Sequence, residues 1–214
     1  MIATEQDARS WIEALPEWDV LAGERLERFV ALLAEENARQ NLVSAPSLGE
    51  VWRRHIVDSA QLLRFVPRGT ATRWLDLGTG AGFPGLVIAI LRPDTNVIMV
   101  ESRARRIEWL TRVCSELGLD QAEVCGASVE RLEARSVDVI SARAFAPLER
   151  LLDLSARFST ASTTWLLPKG RSAQQELERL SGWNHTFHVE QSLTDNDAGL
   201  IVGHLLGRKG RKQP

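Results

Sequence analysis

The stretch Trp74-Leu75-Asp76-Leu77-Gly78-Thr79-Gly80-Ala81-Gly82-Phe83-Pro84-Gly85 decides the fold of this chain. Its first four residues predict a short buried strand, and the glycines then break the strand into a loop that opens an apolar helix. Glycine suits such a loop because the backbone turns sharply and a ligand can approach without a Cβ in the way. A strand, a glycine loop and a helix in this order are typical of the nucleotide end of a doubly wound α/β fold.

The sequence of this loop is compatible with two kinds of cofactor, a dinucleotide and S-adenosylmethionine. Residues 80–85 match the dinucleotide fingerprint, but the strand ends at Leu77, so the turn begins at Gly78, before the match starts. A carboxylate at Asp76 would repel a pyrophosphate and suits a cationic ligand such as S-adenosylmethionine, which carries an ammonium and a sulfonium. The pattern therefore favours S-adenosylmethionine, and a nicotinamide-dependent oxidoreductase stays open as the alternative.

Composition and charge limit the class of protein. The chain has 214 residues, 44% of them apolar and 25% charged, with a net charge of −2, so it is not a general polyanion binder. Arginines cluster locally at Arg53-Arg54 and in the tail from Arg208 to Lys212, where RNA phosphates could bind. The two cysteines have neither metal-ligand nor disulfide spacing. Without a secretory signal or a membrane-spanning run, we expect a cytoplasmic protein that contacts no membrane and holds no metal.

The pattern along the chain changes near residue 72. Residues 3–38 and 48–65 show helical spacing, and we expect residues 1–68 to form a helical extension packed on the core. In the helix at 48–65, the same spacing predicts that Arg53, Arg54, His55 and Asp58 lie on a charged, solvent-facing side. From there to residue 214, strands at 73–77, 96–101, 123–125, 137–142 and 163–167 alternate with helices. Two last strands, 185–191 and 200–206, are predicted to pair antiparallel. This resembles the seven-stranded class I, Rossmann-like methyltransferase sheet, so we assign residues 69–214 to a methyltransferase domain.

Several side chains follow the predicted strands, where the crevice of such a sheet lies. Glu101 ends the second strand, and its two carboxylate oxygens can accept hydrogen bonds from both ribose hydroxyls. Val129-Glu130 follow the third strand, where a loop could pass beside an adenine. Arg143 and Lys169 end the fourth and fifth strands, and an arginine there is expected to bind an anion.

The sequence contains no convincing general base. No Ser–His–Asp, Cys–His or metalloprotease arrangement is present, and the catalytic residues remain unknown.

The chain resembles the bacterial 16S ribosomal RNA N7-guanine methyltransferases, the glucose-inhibited division protein B family. The motifs that carry the resemblance are Asn41-Leu42, Arg54-His55-Ile56-Val57-Asp58-Ser59, the stretch from Asp76 to Gly85, Glu101-Ser102, Ser141-Ala142-Arg143-Ala144 and Lys169-Gly170. Two departures from the family pattern are Arg105-Arg106 in place of Lys-Lys and Ala127–Glu130 in place of Arg-Ala-Glu.

The resemblance implies a cytoplasmic enzyme that uses S-adenosylmethionine to methylate N7 of one guanine of 16S ribosomal RNA. Guanine N7 carries a free lone pair and can accept a methyl group without losing a proton, so the missing base fits this target. Phe83 and Phe145 are both candidates to stack on the target base, and the sequence does not choose between them. Its expected partner is the RNA or the small ribosomal subunit, and we expect a monomer. It implies cofactor contacts at Gly78, Gly80, Phe83, Val129, Glu130 and Arg143, with Glu101 at the ribose. A ribosome-binding factor without catalysis is a further alternative, but it predicts a degraded glycine loop, whereas this loop is intact.

Overall fold

The structure, a computed structural model, describes residues 1–69 and 72–210. The first part of the chain is helical. Its helices are α1 (Glu5–Glu13), α2 (Val20–Gln40), α3 (Ala45–Leu48), a π-helix (Trp52–Val57), α4 (Asp58–Ala60) and a 3-10 helix (Gln61–Phe65). Helix α1 begins with a capping box in which Thr4 and Asp7 bond each other's backbone N–H groups, as its sequence predicts.

A twisted sheet forms the centre of the molecule. Its strands are β1 (Arg73–Leu77), β2 (Asn96–Glu101), β3 (Ala122–Gly126), β4 (Val139–Ser141), β5 (Thr164–Gly170), β6 (Trp183–His185), β7 (His188–Gln191) and β8 (Gly199–Arg208). The order is β3-β2-β1-β4-β5-β8-β6, with β7 also paired to β8. Strands β1 to β5 are parallel and β8 is antiparallel, which confirms the predicted fold class.

Helices cover the faces of this sheet. They are α5 (Gly85–Leu91), α6 (Ala104–Leu117), α7 (Leu148–Ser155) and α8 (Ala173–Arg179), with 3-10 turns at Val129–Arg131 and Ala156–Phe158. Because the strand order reverses between β1 and β4, their carboxyl ends open a crevice there. Both the glycine loop after β1 and the segment from Arg143 to Phe145 after β4 lie at this crevice.

Within residues 1–69 and 72–210, the sheet has eight strands rather than the predicted seven. The predicted strand 185–191 is divided into β6 and β7, which both pair with β8. The ladder between β6 and β8 shifts register at His185, and the backbone of Thr186 bonds His204 instead. A Cβ on Gly203 would lie 2.8 Å from the Thr186 carbonyl oxygen, so β8 can pass this bulge only with glycine there.

The predicted helix 48–65 is interrupted by the π-helix, and this interruption changes the direction in which the His55 side chain points. A regular helix would place His55 on the charged, solvent-facing side, as its neighbours suggest. The wider turn rotates His55 inward, where it is only 9% exposed and stacks on Phe83 at 4.8 Å between ring centroids. The prediction of a solvent-facing His55 is therefore wrong. Inserted π turns occur frequently at functional sites.

The helical extension and the sheet share one hydrophobic core. Phe29 of α2 packs against Phe83 of the glycine loop and Trp109 of α6, with centroids 5.3 and 6.3 Å apart. Burying such rings contributes about 1.5–3 kcal/mol each, so the extension adds stability to the sheet. Within residues 1–69 and 72–210, no helix combines the length and the apolar character that crossing a bilayer requires.

Candidate active site

Asp76, the acid of the glycine motif, is turned into the protein. It is fully buried, its Oδ2 accepts from the Gly85 N–H at 3.0 Å, and its Oδ1 accepts from the Ser141 hydroxyl at 2.6 Å. Burial raises the pKa of this carboxyl group against the opposing effect of these hydrogen bonds. Asp76 therefore ties β1 to β4 and to the start of α5. It is not among the residues that line the two clefts described below, so it would act on a ligand through its charge and through the loop, not by direct contact.

The glycine loop has a backbone that only glycine adopts easily. Gly78 and Gly80 have φ angles of +66° and +61°. A Cβ on Gly78 would lie 2.4 Å from Cδ2 of Phe145, so the phenyl ring lies directly over this glycine. The loop after β1 and the segment after β4 are thus packed in contact across the crevice.

A cleft of about 320 Å³ opens beside this contact. It is bordered by the carboxyl ends of β1, β2 and β3 and by the segment after β4. Four of the seven predicted cofactor residues line it, namely Gly78, Glu101, Val129 and Glu130. We call it the small cleft.

Glu101 has one carboxylate oxygen occupied and one available. Its Oε1 accepts from the backbone N–H groups of Ser102 and Arg103 at 2.7 and 2.9 Å. Its Oε2 is 4.0 Å from the Arg106 guanidinium, which is beyond a hydrogen bond. Because the first oxygen fixes the side chain, the second can accept from a diol at the end of β2.

Val129 and Glu130 start the 3-10 turn after β3, on the opposite side of the small cleft from β1. Val129 is buried, and its carbonyl accepts from Arg157 at 2.5 Å. The Glu130 side chain is exposed and pairs with Arg150 at 3.7 Å. N–H groups in the first turn of a helix have no partner within it, so this turn can bond a base edge through its backbone.

The other three predicted cofactor residues lie outside the small cleft. Gly80 is buried under the Arg106 side chain, and Phe83 is 2% exposed in the core. Arg143 is half-buried on the far side of the loop, with its guanidinium 4.9 Å from the centre of the Phe83 ring. Gly80 and Phe83 are part of the glycine loop, and Arg143 packs against the side of this loop that faces away from the small cleft.

A larger cleft of about 660 Å³ lies on that far side. Its walls come from the π-helix, from the ends of β4 and β5, and from the loop between β7 and β8. Ala144 and Phe145 line both clefts and form the wall between them. Phe145 is half-buried, whereas Phe83 is enclosed, so Phe145 is the ring that a base can reach.

Arg143 is held on the large cleft by the helical extension. Its Nη1 donates to Asp58 Oδ2 at 3.2 Å and to His55 Nδ1 at 3.3 Å. Burial, followed by the charges of Arg143 and Arg54, lowers the pKa of His55 to about 3. His55 is therefore neutral at physiological pH, and its Nε2–H is assigned as the donor to Ser47 Oγ at 3.0 Å.

Lys169 supports the segment after β4. Its ammonium donates to the Ala146 carbonyl at 2.5 Å and pairs with Glu176 at 2.9 Å. Burial raises the Glu176 pKa, but bonds from Ser172, Lys169 and the Leu148 N–H outweigh it and lower the pKa overall. Lys169 thus holds the Phe145 segment in place through both partners.

The sequence did not predict that the loop between β7 and β8 would form one wall of the large cleft. The loop between β7 and β8 packs against the helical extension, because Leu193 N–H donates to Gln61 Oε1 at 2.9 Å and Arg53 donates to the Thr194 carbonyl at 3.1 Å. These partners are more than 130 residues apart, and no local pattern reveals such a contact.

Among the described residues, no group of three or more His, Cys, Asp or Glu side chains could hold a metal ion. The cysteines are free, and burial raises the pKa of Cys114 to about 11. Neither cysteine lines the small or the large cleft.

Comparison with known proteins agrees with this geometry. The model of the GidB family, described as rRNA small subunit methyltransferase G, matches residues 22–196. Ribosomal RNA small subunit methyltransferase G of Erythrobacter litoralis is 58% identical over 204 residues, which cover 95% of this chain and 97% of that protein.

Two solved structures share the fold. A methyltransferase from Geobacter sulfurreducens superposes with a TM-score of 0.56 at 14% identity, covering 97% of this chain and 98% of that one. A SAM dependent methyltransferase from Aquifex aeolicus gives 0.54 at 15% identity, covering 70% and 89%. The extent of the family match and the identity to the Erythrobacter protein place this chain in the GidB family of rRNA small subunit methyltransferase G proteins.

Proposed function

We propose that this protein transfers a methyl group from S-adenosylmethionine to N7 of one guanine in 16S ribosomal RNA. The observation that carries the proposal is the pair of clefts that meet at the Ala144–Phe145 wall. A methyl transfer requires donor and acceptor to be held in line and in contact, and adjoining clefts allow this.

The small cleft fits S-adenosylmethionine, which supplies a methyl group on a sulfonium when bound. Glu101 would hold the ribose through its available Oε2, and the backbone at Val129-Glu130 would bond the adenine. Gly78 lines this cleft at the end of β1, and its missing Cβ makes room for the Phe145 ring that forms the wall of the cleft. Gly80, Phe83 and Arg143 act by shaping the loop rather than by lining this cleft.

The large cleft fits an extruded base. Phe145 offers an aromatic face, and stacking on an aromatic side chain is worth about 1–3 kcal/mol per base. Taking a base out of a helix costs a few kcal/mol, and the cost is smaller for an unpaired base. We therefore propose that Phe145, and not Phe83, stacks on the target guanine.

The charged groups of the large cleft support N7 as the acceptor. Its histidine is neutral with a pKa of about 3, and two of its three carboxylates, Asp58 and Glu176, are paired with Arg143 and Lys169. The third, Asp195, has no cationic partner within residues 1–69 and 72–210, and N7 leaves it no proton to remove. Methylation of an amine or a ring N–H requires a proton to be removed, whereas N7 attacks with a free lone pair. The chain therefore acts by position and orientation.

Arginines beside the clefts would bind the RNA backbone. Arg54 is exposed on the large cleft, and Arg103 and Arg105 are exposed at the start of α6, beside the small cleft. Arg53, which the sequence grouped with Arg54, is instead paired with Glu50 at 2.7 Å. In the tail, Arg208 pairs with Asp153, and Arg211 and Lys212 lie outside the described residues.

We also propose that the protein is a cytoplasmic monomer. Both clefts are built within one chain, which supports a monomer, and action on ribosomal RNA supports a cytoplasmic location. We keep residues 1–68 as the extension and 69–214 as the methyltransferase domain. The family supports neither a nicotinamide-dependent oxidoreductase nor a factor without catalysis.

Purified protein, labelled S-adenosylmethionine and RNA test the proposal. A 16S transcript and intact small subunits serve as separate substrates, and digestion followed by mass spectrometry identifies the methylated nucleoside. We expect 7-methylguanosine at one position. Methylation of another atom, or hydride transfer from a nicotinamide without methylation, would overturn the proposal.

A further inference from the structure

The large cleft has three carboxylates on its walls, and two of them are occupied. Asp58 accepts from Arg143 at 3.2 Å and from the Gln61 amide at 3.0 Å. Glu176 accepts from Lys169, Ser172 and the Leu148 N–H. These groups hold the cleft together and have little capacity left for a ligand.

The third carboxylate, Asp195, is available. Its Oδ1 accepts from the Asp197 N–H at 2.9 Å in a local turn. Within residues 1–69 and 72–210, its Oδ2 has no hydrogen-bond donor and the carboxylate has no cationic partner. The side chain is half-buried and lines the large cleft.

The loop that carries Asp195 is held in a fixed position. Gln61 bonds Leu193, Arg53 bonds the Thr194 carbonyl, and Ser192 and Thr194 bond each other at 3.1 Å. A side chain on an anchored loop loses little freedom when it binds a ligand, so its hydrogen bonds discriminate well.

Guanine presents the donors that such a carboxylate recognises. Its Watson–Crick edge carries the N1–H and the N2 amino group side by side, and enzymes that extrude a base read this edge. An ionised carboxylate only accepts hydrogen bonds, and so matches guanine but not adenine, whose N1 is an acceptor. N7 lies on the other edge of the purine and stays free for the methyl donor.

We infer that Asp195 selects guanine by accepting hydrogen bonds from its Watson–Crick edge in the large cleft. The inference rests on the proposed function, because it names the group that recognises the base to be methylated. It assigns base selection to the loop between β7 and β8 and leaves cofactor binding to the opposite cleft.

The test compares Asp195→Asn with Asp197→Asn. Asparagine keeps the local turn, since its amide oxygen can accept from the same N–H, but it then presents an NH2 group, which only donates, to the guanine edge in place of the available Oδ2. Asp197 is in the same loop, is exposed, and pairs with Arg171 at 3.2 Å outside the cleft. Single-turnover methylation is measured with guanosine, inosine or 7-deazaguanosine at the target position mapped beforehand.

Inosine lacks the N2 amino group and keeps N7, so we expect wild-type protein to methylate it at least tenfold more slowly than guanosine. Asp195→Asn should slow guanosine methylation about 10- to 100-fold, the usual effect of losing a charged hydrogen bond. The same variant should bring the guanosine-to-inosine ratio close to one. Asp197→Asn should keep both the wild-type rate and the wild-type ratio.

Affinity for S-adenosylhomocysteine reports whether each variant is folded. If Asp195→Asn loses that affinity, Asp195→Ser, whose hydroxyl can also close the turn, replaces it. A wild-type protein that methylates inosine as fast as guanosine, or a folded Asp195 variant that keeps the wild-type ratio, overturns the inference. A wild-type protein that methylates neither guanosine nor inosine, or that also methylates 7-deazaguanosine, contradicts the proposed function instead.

Discussion

Lowering the pH should destabilise this protein through His55. Its pKa falls from the ordinary 6.5 to about 3 in the fold, so the folded state keeps the ring neutral while the unfolded chain protonates below pH 6.5. The unfolded state then binds more protons, and stability decreases as the pH falls from 6.5 toward 3. At 1.36 kcal/mol per pH unit, the loss at pH 5 is about 2 kcal/mol.

Urea unfolding at pH 7.5 and pH 5 measures this loss. His55→Gln removes the titrating ring and also the stack on Phe83, but the lost stack costs the same at both pH values and cancels in the difference. The free energy of unfolding should therefore change about 2 kcal/mol less between the two pH values in the variant than in the wild type. His188→Gln, on the exposed face of β7, is the matched control. Equal pH dependence in wild type and His55→Gln would show that burial does not hold the ring neutral.

Three further predictions concern binding and rate. Glu101→Gln should weaken binding of S-adenosylhomocysteine by about 1.5–3 kcal/mol in calorimetry, because a charged acceptor at the ribose is lost. Arg54→Ala should lower the slope of log affinity for RNA against log salt by about 0.7–0.9, as removal of one phosphate contact does. The single-turnover rate with saturating RNA and cofactor should stay nearly constant between about pH 6 and 9, since no proton must leave guanine N7.

Each of these measurements has its own control. Glu130→Gln changes an exposed carboxylate of the same cleft and should alter cofactor affinity by less than about 1 kcal/mol. Arg68→Ala removes an arginine that pairs with Glu17 away from the clefts and should leave the salt slope unchanged. A rate that rises tenfold per pH unit near neutrality would reveal a required base and would move the target away from N7. An unchanged slope in the Arg54 variant would place the phosphate contacts elsewhere.

Local sequence patterns predicted much of the fold. Strand β1, the glycine turn and the end of α6 at Gly118 follow from apolar runs and from glycines with positive φ. Glu101 could be placed at the small cleft because carboxyl ends of parallel strands share one edge of the sheet.

The sequence did not reveal the structural roles of Asp76, His55 and Asp195, because these roles depend on contacts that no local sequence pattern shows. Asp76 looked available to a ligand, but its hydrogen bond to Ser141 comes from a strand 65 residues away. His55 was expected in solvent because the π-helix shifts the helical period by which its face was assigned. Asp195 was not recognised because its importance depends on the loop being anchored to Gln61, which only the tertiary structure reveals.

The two clefts are completed by different parts of the chain. Residues 78–145 supply the whole wall of the small cleft, whereas the large one also needs the loop of residues 192–200 to reach the helical extension. Its closing contact joins residues 132 positions apart, and the ribosome adds the loop that makes this contact only after it has added residue 145. During synthesis from the N-terminus, the surface for the nucleoside cofactor can therefore form before the surface for RNA, so an incomplete chain has no enclosed site in which to hold a guanine.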